Sequence, residues 1–95
     1  MDTEKQDLIR YTAITAAMTG WLERLSEPEH PNATEIILRG LIKYTATAEN
    51  LDDAETGLNS ILKITDRIGD GSGDRIRENV NKYHAVTAEL LGGTE

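Results

Sequence analysis

Four segments of the chain repeat apolar residues at steps of three and four, and this spacing constrains the fold more than any other feature. Such spacing places the apolar side chains along one side of an α-helix. No segment alternates apolar and polar residues over a useful length, so we do not expect a sheet. The pattern predicts helices over about residues 3–25, 32–50, 53–68 and 74–91.

The apolar stripes of these helices predict which side chains form the core. In the first helix the stripe is Tyr11, Ile14, Met18, Trp21 and Leu25, widened by Leu8 and Leu22. In the second helix it is Ile37, Leu41, Tyr44, Ala48 and Leu51, flanked by Leu38 and Ile42. In the third and fourth helices it is Leu58, Ile61, Leu62, Thr65 and Ile68, and Ile76, Val80, Tyr83, Thr87 and Leu90. We expect these sides of the helices to pack against one another.

Breaks between the helices differ in clarity. Pro28 and Pro31 end the first helix, and the glycine-rich segment 69–73 separates the third from the fourth. Between the second and third helices, Asn50 or Asp52 could cap a new helix, although the apolar phase continues through this junction. We predict a short break near residues 50–53, because clustered carboxylates repel one another within a helix. The alternative is one continuous helix.

We therefore predict a single all-α domain over residues 1–95, either an up-and-down four-helix bundle or two helical hairpins that pair with a second copy. Hydrophobic residues make up only 38% of the chain, and it has no Phe, so its core is thin. Small domains with thin cores often complete them by self-association, and we expect a homo-oligomer, most simply a dimer. Gly40 lies inside the second predicted helix, which indicates close helix packing there or no packing role.

The charge favours some partners over others. The net charge is −7, from 17 acidic and 10 basic residues, which disfavours binding to nucleic acid or to an anionic membrane. A basic protein is a compatible partner. The chain has no cysteine, its first residues are polar and acidic, and no apolar run approaches the roughly 20 residues that cross a bilayer. We expect a soluble cytoplasmic protein.

Motifs for metal binding or catalysis are weak. A calcium loop starting at Asp66 would place Ile68 and Arg77 at positions that need oxygen ligands. The glycine-rich turn could hold phosphate at a helix start, but no Walker-type lysine follows it. Glu27, Glu29 and His30 could bind a divalent ion, but two prolines make this segment a loop and the other histidine, His84, is far away in sequence. Neither histidine has an evident serine and carboxylate constellation. We predict no enzyme activity, no catalytic residue, no cofactor and no metal.

These observations favour a non-enzymatic protein-binding or regulatory module that acts through an acidic helical surface. The candidate partner-binding residues are four carboxylates at the second junction, together with the only tryptophan: Glu49, Asp52, Asp53, Glu55 and Trp21. A narrower alternative is an inhibitor of a nucleic-acid-handling enzyme, since the chain is similar in size and acidity to small phage anti-restriction and anti-CRISPR proteins. A further alternative is an assembly subunit or chaperone that holds a partner helix, which predicts an exposed apolar groove.

Overall fold

The computed structural model describes residues 3–25 and 29–92, and within them it has four α-helices and no strand. The helices are α1 (Thr3–Arg24), α2 (Ala33–Ala46), α3 (Leu51–Ile68) and α4 (Ser72–Leu90). The predicted all-α fold is therefore confirmed. None of these helices is long and apolar enough to span a bilayer, a finding limited to the two described stretches.

The helices form an up-and-down bundle with a diamond-shaped cross-section. α1 packs against the other three helices, whereas α2 and α4 do not touch each other. The Tyr11 hydroxyl in the first half of α1 donates to the Ala48 carbonyl after α2, and Arg77 near the start of α4 binds Asp66 near the end of α3. Both contacts fit antiparallel neighbours. The bundle measures 47 × 23 × 22 Å.

The core lies between α1 and α3, the short diagonal of the diamond, and every helix contributes to it. Its buried apolar side chains are Ile9, Ala13, Ile14, Ala17, Met18, Ile42, Ala54, Leu58, Ile61, Ile76 and Val80. Several of them are alanines, whose small side chains let neighbouring backbones approach closely. The core is small, as the composition predicted.

Helix ends follow from local hydrogen bonds. α2 begins with the predicted capping box, in which the Asn32 side chain accepts from the Glu35 N–H at 2.9 Å and the Glu35 carboxylate accepts from the Asn32 N–H. α2 ends at Ala46, about four residues before the predicted end. Beyond it, the Thr47 N–H and hydroxyl both donate to the Lys43 carbonyl.

The junction between α2 and α3 is broken, as predicted, and the alternative of one continuous helix is wrong. The break covers residues 47–50, slightly earlier than the predicted 50–53. Asn50 and not Asp52 caps α3, since its side chain accepts from the Asp53 N–H at 2.8 Å. A helix cannot continue through this residue, because the Asn50 backbone is extended.

Five residues of the predicted stripes are exposed instead of buried: Leu8, Ile37, Tyr44, Ile68 and Leu90. In α2 the stripe has the predicted period but is rotated, so that Ile42 and Thr45 face the core. The rotation fits Thr45 against Gly57 of α3, where any larger side chain would collide with it. Leu8, Ile68 and Leu90 lie near helix ends, where fewer neighbouring side chains cover them.

Candidate functional site

The four carboxylates Glu49, Asp52, Asp53 and Glu55, called here the acidic corner, lie together where α3 begins. Asp53 accepts from the Asn50 side-chain amide at 3.2 Å, so it takes part in the helix cap. Glu55 accepts from Arg10 Nε of α1 at 3.4 Å. Glu49 and Asp52 are exposed. Two of the four carboxylates therefore serve the fold, and two face solvent.

Acidic charge is not spread over the helices. α1 and α4 each carry three acidic and three basic residues, whereas α2 carries one acidic and two basic residues. Only α3 is net acidic, with four carboxylates and two basic side chains. Most of the net charge of −7 therefore lies in segments outside the helices. Among the helices, only α3, which begins at the acidic corner, contributes net negative charge.

Trp21 lies at the other end of the bundle from the acidic corner. It is half-buried near the end of α1 and lines a groove together with Thr65 and Ile68 of α3. Asp53 and Thr65 are twelve residues apart on α3, which corresponds to about 18 Å along its axis. The structure thus brings the four predicted carboxylates together but separates them from the predicted tryptophan.

The groove beside Trp21, called here the Trp21 groove, is formed where one end of each helix meets the others. Its floor is made of the buried side chains of Ile42, Ile61 and Ile76. Its volume is about 170 Å³. The full lining is Trp21, Leu25, Glu35, Leu38, Arg39, Ile42, Ile61, Thr65, Ile68, Asp70, Ser72 and Ile76. The lining thus forms an apolar groove that is open at this end of the bundle.

Charged groups stand at the edge of the apolar lining. Hydrogen bonds from the Ser72 hydroxyl and backbone N–H hold the pKa of Asp70 below its ordinary value, so its carboxylate is ionised at neutral pH. Glu35, half-buried, also contributes a carboxylate, and Arg39 contributes a guanidinium. An apolar group that enters the groove therefore passes two carboxylates and one cation.

The α3–α4 turn is the segment whose sequence weakly resembles a calcium or phosphate site. Its carboxylates are bonded to other residues of the chain. Arg77 Nη2 donates to Asp66 Oδ2 at 2.7 Å and Nη1 contacts Asp74 Oδ1 at 3.4 Å. Asp70 accepts from the Ser72 N–H at 2.9 Å. Each of these carboxylates has a partner inside the protein. Ion pairs of Arg77 and the hydrogen bond between Asp70 and Ser72 occupy the carboxylates of this turn.

The two histidines that the sequence offered as ligands or catalytic groups do not line the Trp21 groove. His30 and Glu29 are exposed, with 3.8 Å between His30 Nε2 and Glu29 Oε1, and Glu27 lies outside the described residues. His84 is half-buried on α4. Across residues 3–25 and 29–92, no three histidine or carboxylate side chains come together as a metal site would require.

Comparison with known proteins adds no relative. No protein-family model, no curated protein and no solved structure matches this chain. The groove, the charges and the exposed apolar surface are therefore the features that bear on function.

Sequence reasoning found part of the Trp21 groove. Trp21 was predicted as a partner-binding residue, and Leu25 was on the same stripe. Leu38, Arg39 and Asp70 were missed as groove residues, because they come from α2 and the α3–α4 turn and meet Trp21 only in the folded chain. A signal in the sequence was the position of Trp21 and Leu25 directly before the proline break, where a helix end opens a corner of the bundle.

Proposed function

We propose that this chain is a non-enzymatic protein-binding module that holds an apolar side chain of a basic partner in the Trp21 groove. The observation that carries the proposal is the groove itself. It is open and apolar, its floor is made of rigid core isoleucines, and carboxylates stand at its edge. Aromatic side chains are enriched where proteins anchor one another, which gives Trp21 a role beyond packing.

The volume of the groove favours one side chain over a free small molecule. Pockets for drug-sized ligands and cofactors measure about 300–1,000 Å³, whereas a cavity of about 150 Å³ takes benzene. At about 170 Å³ the Trp21 groove fits one aromatic or branched aliphatic side chain. A partner would insert this side chain as an anchor, with its main chain remaining outside.

The groups at the edge favour a basic residue next to that anchor. Asp70 is ionised at neutral pH, and the Glu35 carboxylate accepts a long hydrogen bond from the Asn32 N–H, at 3.5 Å. Both can therefore accept from a lysine or arginine of the partner. The net charge of −7 adds a long-range attraction for a basic protein.

The other two functional hypotheses receive less support from the same geometry. A protein that holds a whole helix needs several apolar anchor sites in a row, at i, i+3, i+4 and i+7. The Trp21 groove offers room for one. An inhibitor that imitates nucleic acid needs a dense acidic face, but only α3 is net acidic. Anchoring in the groove thus remains the best-supported mode, whatever enzyme or regulator the partner is.

The test uses a phage-displayed library of random peptides selected on the immobilised chain. We expect the selected peptides to carry a bulky apolar residue next to lysine or arginine. Because Trp21 is the only tryptophan, binding of a synthetic peptide should change its fluorescence directly. The matched variants are Ile68→Glu at the groove and Ile36→Glu outside it, which are 49% and 57% exposed and add the same charge.

We expect Ile68→Glu to weaken peptide affinity at least tenfold and Ile36→Glu to leave it within twofold. Neither residue is buried, so both variants should keep the helical circular dichroism of the parent chain. Selection of peptides without an apolar anchor, or equal loss of affinity in both variants, would refute the groove as the binding site.

A further inference from the structure

Two carboxylates, those of Glu35 and Asp70, belong to the wall of the Trp21 groove itself. They line the same volume of about 170 Å³ as the isoleucines of its floor. Because this volume takes one side chain, a carboxylate that lines it lies beside the inserted side chain. A positive charge that pairs with Glu35 or Asp70 therefore has to lie close to the Cα of the residue that supplies the anchor.

Both carboxylates are positioned by the chain and keep lone pairs for a ligand. The Ser72 N–H donates to Asp70 Oδ1 at 2.9 Å, and the Asn32 N–H donates to Glu35 Oε1 at 3.5 Å. A carboxylate has about four lone-pair sites on its two oxygens, so these hydrogen bonds do not saturate either group. A cationic ligand would thus meet acceptors that already lie at the groove.

The charged part of the groove lining is negative as a whole. It consists of the two carboxylates and one guanidinium, that of Arg39. The net charge of −7 adds a long-range attraction for cations. A ligand that matches both the apolar floor and the charge of the lining combines one apolar group with one positive charge directly beside it.

We infer that the anchor is the N-terminal residue of the partner protein, a bulky apolar residue whose α-ammonium pairs with Asp70 or Glu35 while its side chain enters the Trp21 groove. The inference rests on the proposed function, because it names which residue of the partner the groove holds. The chain terminus then supplies the positive charge nearest the anchor. Lysines and arginines further along the partner add to the long-range attraction.

The covalent geometry of a peptide favours the terminus as the source of this charge. The α-ammonium of a first residue is bonded to the same Cα as the anchoring side chain. The Cα of the next residue lies about 3.8 Å further on, and in an extended chain its side chain points in the opposite direction. A lysine or arginine at that position therefore directs its charge away from the groove.

An internal residue of a partner fits the same lining less well. In place of the ammonium it has a peptide group, with one N–H donor and the carbonyl oxygen of the preceding residue. Carboxylates repel that oxygen. The ammonium has three donors and a full charge, and hydrogen bonds that involve charged groups are roughly twice as strong as neutral ones. A free N-terminus should thus bind more tightly than an internal or acetylated residue.

The test compares two peptides that differ only at the N-terminus. Both begin with leucine, continue with glycine and serine, and end in an amide; one has a free α-amino group and the other an acetyl group. Binding is followed by the fluorescence of Trp21, the only tryptophan. We expect the free peptide to bind at least tenfold more tightly at pH 7. This advantage should disappear as pH rises through about 8, the ordinary pKa of an α-amino group, whereas a lysine keeps its charge to about pH 10.

Conservative variants assign the ammonium to its carboxylates. Asp70→Asn and Glu35→Gln keep the shape of each side chain and remove its charge, and glutamine also serves in a capping box. In the double variant we expect the preference for the free peptide to fall to within threefold, with the affinity for the acetylated peptide unchanged. Glu78→Gln removes one charge from an exposed position of α4 outside the groove and should leave the preference intact.

The outcomes separate this inference from the proposed function. Equal affinity for the two peptides would refute the inference and leave the proposed function standing, since the leucine would still enter the groove. A preference for the free peptide that survives the double variant would also refute it, because the ammonium would then bind elsewhere. If neither these peptides nor those selected by phage display bind the chain, both the inference and the proposed function are wrong.

Discussion

The two long sides of α2 contain the same kinds of residue and behave differently. On the inner side Thr45 fits against Gly57 of α3 so closely that a methyl group on that glycine would collide with it. On the outer side Gly40 lies among exposed isoleucines and has open space above it. Glycine lowers the intrinsic stability of α2 at Gly40 and of α3 at Gly57. Only Gly57 allows a close contact within the chain, the one with Thr45. Composition alone therefore does not show which apolar side of a helix faces the core.

The largest contrast between the two sides should appear when isoleucine is shortened. Ile42 is 2% exposed, and Ile42→Ala should lower the free energy of unfolding by about 3 kcal/mol, because it removes buried methyl groups and leaves a cavity. Ile37 is 52% exposed, and Ile37→Ala should change it by less than about 0.5 kcal/mol. Urea denaturation at low micromolar concentration measures both. Equal losses would mean that α2 is rotated differently from the structure.

The two glycines should respond to alanine with opposite signs. Gly57→Ala should lower the free energy of unfolding by about 2 kcal/mol, since Thr45 is buried and β-branched and has little room to move. Gly40→Ala should raise it by up to about 1 kcal/mol, because alanine favours the helix and its methyl group would lie more than 4 Å from the side chains that the structure describes. Thermal and urea unfolding of the pair give the comparison. Destabilisation by Gly40→Ala would show an intramolecular contact that the structure lacks.

The contrast between the two sides also explains what sequence could predict of the fold. Period and breaks predicted four helices, and the capping pair Asn32 with Glu35 located the start of α2 within one residue. The stripe predicted for α2 was wrong at Ile37 and Tyr44, which are exposed, whereas Leu41 and the flanking Ile42 do pack at the core. The fit of Thr45 against Gly57, a residue on another helix, fixes this small rotation, and sequence spacing within α2 does not show it.

The candidate site shows the same limit. The local cap formed by Asn50 and Asp53 follows from residues three apart, but the contact of Glu55 with Arg10 joins residues 45 positions apart. Sequence therefore predicted that the acidic corner exists but not how much of it remains available to a partner. Trp21 was predicted as a contact residue, while the groove around it depends on helix ends that meet only after folding.

A smaller effect should separate Thr45 of α2 from Thr47, the residue that follows the helix. The hydroxyls of Thr45 and Thr47 each donate at 2.8 Å to the carbonyl four residues earlier, but Thr45 is buried and Thr47 is exposed. Thr45→Val should destabilise the chain by about 1 kcal/mol, since the buried carbonyl loses a donor that water cannot replace. Thr47→Val should cost less than about 0.5 kcal/mol, because water takes its place. An equal cost measured by urea unfolding would contradict the assignment of inner and outer sides.

Acid should change the stability of the chain through the ion pair of Asp66 with Arg77, which lies at the α3–α4 turn and not on α2. Hydrogen bonds from Arg77 to Asp66 hold the pKa of that carboxyl below its ordinary value of 3.8. A lowered folded-state pKa means that the pair stabilises the chain above that ordinary value and that the stabilisation is lost as pH falls through the folded-state pKa. Asp66→Asn should therefore lower the free energy of unfolding slightly at pH 7, and the difference from the parent chain should vanish in strong acid. Because Asp66 and Arg77 are exposed, salt should also reduce the difference.

The difference in unfolding free energy between Gly57→Ala and the parent chain should stay constant over the same pH range, since packing against Thr45 involves no titratable group. A Gly57→Ala difference that followed pH as the Asp66→Asn difference does would mean that α2 and the α3–α4 turn are coupled, and that the inner side of α2 is not held by packing alone.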